Sequence, residues 1–273
     1  MTDTDRERLR GTFTQDVERY DRARPGYPPP MFDDLAEHAG AGPGCRVLEI
    51  GCGTGKATVP LAERGCRVVG VELGAEMASV ARRKLPGTTV DVAAFEDWPL
   101  PTEPFDLVLA ATSFHWIDPA VRIAKSADAL RPGGTLATVS THHVAGGTED
   151  FFVEVQRCYE RFDPTTPPGL RLTPAANIPH DSQESPNRNV EQGNTALPGA
   201  DRFESPVFHR YERDITYGTA DYLDLLGTFS GTLALDPTAR AGLLDCIGTL
   251  IDTRYGGRII KRYLTELRLA VRR

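Results

Sequence analysis

The sequence lacks the cysteine patterns that indicate a metal site or a disulfide-stabilised fold. Its five cysteines are scattered, no two form a CxxC pair, and no group of histidines accompanies them. We therefore expect neither zinc nor a disulfide framework, and we expect the cysteines to be reduced thiols that pack as small hydrophobic side chains. They are Cys45, Cys52, Cys66, Cys158 and Cys246.

Long hydrophobic runs are also absent. No stretch of the sequence reaches the roughly 18 apolar residues that can span a bilayer. The first ten residues, MTDTDRERLR, carry charges where a secretory signal would have an apolar core. We therefore expect a cytoplasmic protein without a membrane partner.

An excess of positive charge is missing too. The chain has 38 acidic and 31 basic side chains, which gives a net charge of −7. A surface with this balance repels a phosphate backbone, so nucleic acid is not an expected partner.

What the sequence does contain is an alternation of short apolar runs and helical stretches between residues 44 and 141. The runs, rich in Val, Leu and Ile, lie at 46–51, 67–73, 88–94, 105–112 and 134–141. Helices are predicted between them at about 57–64, 76–84 and 119–130. This alternation predicts an α/β fold with a mostly parallel sheet and helices on both faces.

The segments on either side of this region predict three further parts. Residues 1–40 are expected to form an N-terminal cap segment, in which the prolines at 25 and 28–30 break any helix and a short helix follows. The core would comprise 41–141 and 206–273, with late strands near 207–215 and 263–271 and helices at 219–230 and 237–253. Residues 142–205 would be a lid insertion, based on apolar residues around 151–159, with a mobile polar tract over 163–205.

The strongest motif follows the first predicted strand. Glu49 precedes a GxGxG loop at Gly51, Gly53 and Gly55, and Glu72 ends the next predicted strand. Glycine lets a ligand lie against the backbone of such a turn, and an acidic residue after the second strand can accept hydrogen bonds from both ribose hydroxyls. The dinucleotide fingerprint would need glycine where Lys56 stands, and the GKS or GKT of a phosphate P-loop is absent.

These motifs, with several other stretches, resemble class I S-adenosylmethionine-dependent methyltransferases, in particular the small-molecule group that includes trans-aconitate methyltransferase-like proteins. The similar stretches are 18–28, 48–58, 68–77, 95–100, 104–118, 130–137 and 255–270. The resemblance implies a seven-stranded Rossmann-like sheet with the last strand antiparallel. It also implies methyl transfer from S-adenosylmethionine to a small-molecule acceptor by in-line displacement, by a monomer or a homodimer.

The resemblance further implies which residues hold the cofactor. Glu49, Gly51, Cys52 and Gly53 would lie at its methionine end, Glu72 at the ribose, and Leu73 and Met77 beside the ribose or the adenine. Phe95 and Glu96 would bound the adenine, and Ala111 would lie near the transferring methyl. Many relatives have Asp where this chain has Ala94, so Glu96 or a backbone carbonyl is expected to meet the adenine amino group instead.

A further set of residues is expected on the acceptor side. His115 is the candidate catalytic residue, because an imidazole titrates near working pH, although it and Trp116 are equally compatible with structural roles. Tyr20, Arg24, Tyr27 and His142 are the other candidates. No metal is expected at His142 and His143, since no nearby carboxylate or thiol completes a ligand set.

Two alternatives remain open on the sequence. A non-catalytic S-adenosylmethionine-binding or regulatory protein could keep the same motifs without turnover. An NAD-dependent oxidoreductase is disfavoured by Lys56 in the loop.

Overall fold

The computed structural model describes residues 16–163, 165–169, 171–180 and 199–273. Residues 181–198, which form the centre of the predicted polar tract, lie outside the described residues, so its predicted mobility stays a prediction.

Helices and strands alternate through the first half of the chain, as predicted. The elements there are α1 (Val17–Ala23), α2 (Pro29–Ala39), β1 (Arg46–Ile50), α3 (Thr58–Glu63), β2 (Arg67–Glu72), α4 (Ala75–Lys84), β3 (Thr89–Val92), β4 (Phe105–Ala111), α5 (Arg122–Ala129) and β5 (Leu130–Gly147). The second half contains α6 (Glu149–Glu154), α7 (Gln156–Phe162), β6 (Val207–Gly218), α8 (Thr219–Leu226), α9 (Ser230–Ala234), α10 (Pro237–Arg254) and β7 (Arg258–Val271). In the described part of the chain, no helix is both long enough and apolar enough to cross a bilayer.

The strands of the described residues form one seven-stranded sheet in the order β3-β2-β1-β4-β5-β7-β6. β1 pairs in parallel with β2 and β4, and the pairs β2–β3 and β4–β5 are parallel as well. β7 is antiparallel to β5, since the N–H of Arg272 donates to the carbonyl of Gly134 while the N–H of Gly133 donates to Arg272. The predicted mostly parallel sheet with an antiparallel last strand is confirmed.

Both faces of the central strands are buried, which explains why their sequences are nearly continuous apolar runs. Neighbouring residues of one strand belong to different hydrophobic clusters because side chains alternate across a sheet. One cluster joins α2 to one face through Met31, Leu35, Val47 and Leu107. The cluster on the other face joins α5 to Leu48, Val108 and Leu136.

Residue contacts divide the chain into two units. The glycine-loop unit comprises Gly26–Thr141, Thr265–Arg273 and the described part of Pro179–Tyr211. The disulfide unit comprises Glu212–Leu264 and the described parts of Met1–Pro25 and His142–Ile178. Contacts thus group 212–264 with 142–178, whereas the sequence analysis assigned 206–273 to the core; a lid function for 142–205 stays a prediction.

The disulfide unit takes its name from a bond between α7 and α10. Cys158 and Cys246 are joined, with their Cα atoms 5.9 Å apart, although 88 positions separate them along the chain. The expectation that all five cysteines are reduced is wrong for this pair, while Cys45, Cys52 and Cys66 are free and buried. Sequence spacing could not show the pairing, because it depends on the packing of two helices that are remote in the chain.

Several element boundaries also differ from the sequence prediction, and β7, for example, begins at Arg258 rather than near 263. Pro29 and Pro30 form the first turn of α2 instead of preceding the helix. Proline is tolerated there because the first N–H groups of a helix have no intrahelical partner. β5 extends to Gly147, beyond the predicted end at 141.

Candidate active site

The glycine loop follows β1 in a backbone conformation that favours glycine. Gly51, Gly53 and Gly55 have φ values of +67°, +56° and +85°. A Cβ added at Gly53 would meet nothing within 4 Å, so the space in front of this residue is open to a ligand. A Cβ at Gly51 would lie 2.6 Å from the Cβ of Ser113. A side chain at Gly51 would therefore clash with the protein itself, whether or not a ligand lies against the turn.

Glu72 connects the loop to the second strand. Its Oε2 accepts a hydrogen bond from the backbone N–H of Gly53 at 2.8 Å, and its Oε1 accepts one from the N–H of Gly74 at 2.8 Å. Gly74 is the N-cap residue of α4. The carboxylate predicted to hold a ribose therefore also fixes the two backbone segments on either side of that position.

Glu49 is a buried acid directly before the loop. Its side chain is only 1% exposed, and Thr58 Oγ1 donates a hydrogen bond to its Oε2 at 2.6 Å. Burial, and to a lesser extent the negative charge of Glu72, raises the pKa of Glu49 to about 8, although the Thr58 bond opposes the shift. Glu49 is therefore mostly protonated at neutral pH and would ionise beside a cationic ligand.

The other residues that are predicted to contact the cofactor near the glycine loop differ in their burial. Cys52 is buried with Ala78, Ala81 and Val90, so its side chain serves packing. Met77 is buried, whereas Leu73 is 43% exposed. Thr54, which sequence reasoning missed, is a buried loop residue whose Oγ1 has no hydrogen-bond partner among the described residues.

The residues that are predicted to contact the adenine follow β3 in the chain. Phe95 is buried, and the ammonium of Lys125 lies 5.4 Å from its ring centroid. Glu96 Oε1 accepts a hydrogen bond from the backbone N–H of Asp118 at 3.1 Å. The carbonyl of Ala94 accepts bonds from N–H groups of the turn that follows it. One carboxylate oxygen of Glu96 and the carbonyl of Ala94 are therefore engaged in local structure, and the group that would meet the adenine amino group stays a prediction.

At the end of β4, a cluster of hydroxyl groups surrounds Ala111. Tyr27 donates a hydrogen bond to the carbonyl of Ala111 at 3.0 Å, and its hydroxyl lies 2.9 Å from Thr112 Oγ1. Ser113 donates to the carbonyl of Ile50, which links β4 to the glycine loop. The structure thus places Tyr27 beside Ala111, and its acceptor-side role stays a prediction; sequence reasoning did not identify Thr112 or Ser113.

Thr112 adopts a backbone conformation that is rare for its type. It is the only non-glycine residue of the described chain with a positive φ, at +56°. A β-branched residue in this region is a genuine outlier, and such strain is concentrated at functional sites. No sequence signal marks it, because threonine is common at the ends of strands.

His115 and Trp116 lie in the short 3₁₀ turn Phe114–Trp116, with their ring centroids 4.7 Å apart. Burial and the positive charge of Arg122 lower the pKa of His115 to about 4. The expectation that His115 titrates near working pH is therefore wrong. A neutral imidazole of this kind is a weak base, but it can still accept or donate a hydrogen bond.

Three of the predicted acceptor-side residues belong to the disulfide unit. Arg24 donates hydrogen bonds to Oγ1 and the carbonyl of Thr228, at 2.8 and 2.9 Å. Its guanidinium lies 5.3 Å from the ring centroid of Tyr20. His142 is buried on β5.

A protein-family model described as "Methyltransferase domain" matches residues 48–138, which contain the glycine loop, Glu72 and the end of β4. An uncharacterized methyltransferase of Mycobacterium tuberculosis is 44% identical over 128 residues, which are 47% of this chain and 51% of the relative. An uncharacterized methyltransferase of Geobacillus kaustophilus is 34% identical over 139 residues, 47% of this chain and 65% of the relative. The chain spans about half the length of the first of these curated relatives.

Solved structures of methyltransferases are similar to this chain in fold. One from Anaeromyxobacter dehalogenans, provisionally described as a Type II methyltransferase, has a TM-score of 0.59 and 25% identity and covers 90% of this chain and 97% of its own. A phosphoethanolamine N-methyltransferase of Haemonchus contortus, solved with S-adenosylhomocysteine, has a TM-score of 0.51, covering all of this chain and 60% of its own. At 17% identity it shows the fold alone. Residues 48–138 therefore match the methyltransferase domain family, and the sheet around them has the fold of a solved methyltransferase structure.

Proposed function

We propose that this protein transfers a methyl group from S-adenosylmethionine to a small-molecule acceptor by in-line displacement. The observation that carries the proposal is the glycine loop, which is open to a ligand at Gly53 and is hydrogen-bonded there to Glu72 at the end of β2. The narrower resemblance to trans-aconitate methyltransferase-like proteins has no support from the relatives named above, and it assigns no acceptor.

The residues of the glycine-loop unit fit the cofactor. Gly53 leaves space where a ligand would lie, Thr54 has a buried hydroxyl without a described partner, and Glu49 is a protonated acid that can become an anion beside a cationic group. The proposed cofactor-binding residues are Glu49, Gly51, Cys52 through its backbone, Gly53, Glu72, Leu73, Met77, Ala94, Phe95, Glu96 and Ala111.

The chemistry requires orientation more than acid–base assistance. S-adenosylmethionine supplies a methyl group that its sulfonium has already activated. Correct orientation of the reacting groups can contribute roughly 7–11 kcal/mol to such a reaction. Tyr27 and Thr112 fix the backbone at the end of β4, where Ala111 is proposed to lie near the reacting methyl. His115, with its lowered pKa, would orient an acceptor by a hydrogen bond rather than remove its proton.

The remaining parts of the proposal rest on sequence. Tyr20, Arg24, Tyr27, Trp116 and His142 are proposed as acceptor-side residues. The net charge of −7 supports a small-molecule acceptor over nucleic acid. We further propose a monomer or a homodimer acting in the cytoplasm.

Thermal unfolding with added ligands tests the cofactor. A ligand at about 100 times its dissociation constant stabilises a protein by about 2.7 kcal/mol, so S-adenosylhomocysteine should raise the melting temperature and NAD should not. Stabilisation by NAD alone would indicate the oxidoreductase alternative.

Turnover requires a second measurement. Labelled methyl from S-adenosylmethionine should appear in at least one compound of a metabolite mixture, in a reaction that depends on the protein. Stabilisation by S-adenosylhomocysteine without transfer to any compound would favour the non-catalytic alternative.

A further inference from the structure

The disulfide unit contains a buried lysine that has no counterion among the described residues. Lys261, on β7, is only 5% exposed. Among the described residues, no carboxylate pairs with its ammonium and no group accepts a hydrogen bond from it. Its Nζ instead lies 5.0 Å from the ring centroid of Tyr263 and 5.3 Å from that of Phe229. Burying an unpaired charge is costly, so an ammonium in this position needs an explanation.

The charged neighbour that acts most on Lys261 is another cation. Burial, together with the positive charge of Arg24, lowers the pKa of Lys261 to about 7. Arg24 is held in place by its two hydrogen bonds to Thr228, and its guanidinium lies 4.3 Å from the ring centroid of Phe229. The two cations thus share one aromatic ring, and no acidic group of the described chain offsets their charge at Lys261.

Uncharged polar groups also lie near Lys261. His143 Nε2 is buried and has no hydrogen-bond partner among the described residues. Burial and the charge of Lys261 keep this imidazole neutral, with a pKa of about 2. The hydroxyls of Tyr217 and Tyr263 lie 3.0 Å apart, so one of them donates to the other. Phe152 contacts the His143 ring edge-on, with the centroids 4.4 Å apart.

We propose that Lys261 and His143, with the phenols of Tyr217 and Tyr263, form a binding site for the anionic group of a small organic molecule. A carboxylate or a phosphate would supply the missing counterion and accept hydrogen bonds from the ammonium. The rings of Phe152 and Phe229 would contact the apolar part of the same molecule. All of these residues belong to the disulfide unit, so the proposal does not depend on the cofactor or on methyl transfer.

Lysine NMR tests this site directly, because the chain has only four lysines, Lys56, Lys84, Lys125 and Lys261. The full-length protein would be labelled with ¹³C at lysine Cε and titrated with sodium benzoate or phenyl phosphate at constant ionic strength. Benzyl alcohol is the matched neutral probe. The resonance that disappears in Lys261→Met identifies Lys261.

The expected result is that both anions, or one of them, shift the Lys261 resonance saturably and move its titration to higher pH, while the other three lysines stay unchanged. Benzyl alcohol should have no such effect. Lys261→Met should bind the anion that shifts the native resonance at least tenfold more weakly, as measured by the shifts that the anion causes in the resonances of labelled histidines. Lys84→Met should bind this anion with the affinity of the native protein. A response to benzoate alone indicates a carboxylate ligand, and a response to phenyl phosphate alone indicates a phosphate ester.

Two outcomes would overturn the proposal. The first is a Lys261 resonance that responds to neither anion, or to benzyl alcohol equally. The second is an unchanged affinity in Lys261→Met. Neither outcome would bear on cofactor binding, which S-adenosylhomocysteine tests separately in the glycine-loop unit.

Discussion

Gly51 and Gly53 are glycines for different physical reasons, although both have positive φ. Gly51 has no room for a side chain because Ser113 lies against it, so Gly51→Val should destabilise the protein whether or not a ligand binds. Gly53 faces open space, and a methyl group there would fill the volume proposed for the cofactor. Gly53→Ala is therefore the better probe of the site. We expect it to weaken S-adenosylhomocysteine binding at least tenfold in calorimetry.

A matched control separates ligand exclusion from backbone strain. Gly40, at the end of α2, has a φ of +67° and also faces open space, but it lies outside the loop. An alanine in the left-handed backbone conformation lowers the free energy of unfolding by roughly 1–2 kcal/mol at either position. Gly40→Ala and Gly53→Ala should therefore lower the melting temperature by similar amounts. Equal affinity of the two variants for S-adenosylhomocysteine would contradict the assignment of the loop.

Because the pKa of Glu49 is raised, we expect that binding of the proposed cofactor releases a proton. With a pKa of about 8, the free protein carries this carboxyl mostly protonated at pH 7. A cationic ligand beside it favours the ionised form, so up to about one proton should leave on binding. Calorimetry at pH 7 in buffers of different ionisation enthalpy measures that number directly. Glu49→Gln should bind without this buffer dependence, and an identical dependence in the variant would assign the proton to another group.

Residue-scale prediction from sequence succeeded where residue type alone carries the signal. The loop glycines have the positive φ that their residue type allows, whereas the ribose contact of Glu72 stays a prediction. The sequence could not reveal that Glu72 also accepts hydrogen bonds from Gly53 and Gly74, or that Thr112 has a positive φ. It also could not show how far burial lowers the pKa of His115, because desolvation depends on the packed surroundings.

The disulfide between α7 and α10 should stabilise the protein. Closing a loop across 88 positions stabilises a fold by about 4.6 kcal/mol on the chain-entropy argument, although native packing can reduce this value. Adding a reductant should therefore lower the melting temperature by several degrees. The double variant Cys158→Ser/Cys246→Ser should begin at the lower value and show no response to reductant. Detection of five free thiols in the protein purified without reductant would refute the bond.

Element boundaries were predicted best where periodicity was strong. β1, β2 and β4 lie within one residue of their predicted ends, because each is an apolar run ended by glycine or a polar turn. β5 was predicted too short at its end, since residues 142–147 are two histidines followed by valine, alanine and two glycines rather than a run of large apolar residues. Tertiary pairing extends that strand, and a local pattern cannot report pairing with a distant segment.

At the scale of the whole molecule, two buried groups should give the stability opposite dependences on pH. Glu49 has a folded-state pKa of about 8 against an ordinary value of 4.5, so the folded protein binds more protons and stability falls as pH rises between these values. Lys261 has a folded-state pKa of about 7 against 10.5, so the unfolded chain binds more protons and stability rises over that interval.

The difference in unfolding free energy between a variant and the native protein, followed against pH, isolates the contribution of the substituted residue. Such a difference is needed because His115 and His143, with their lowered pKa values, also make the stability increase with pH up to about 6.5. The stability of Glu49→Gln relative to the native protein should increase from about pH 4.5 to about pH 8 and then level off. Lys261→Met should be most stabilised below about pH 7, where the native protein buries a charged ammonium, and should lose this advantage as the pH approaches that of free lysine. Urea unfolding at a series of pH values provides both curves. A flat difference for either variant would show that the native side chain at that position titrates in the folded protein as it does in water.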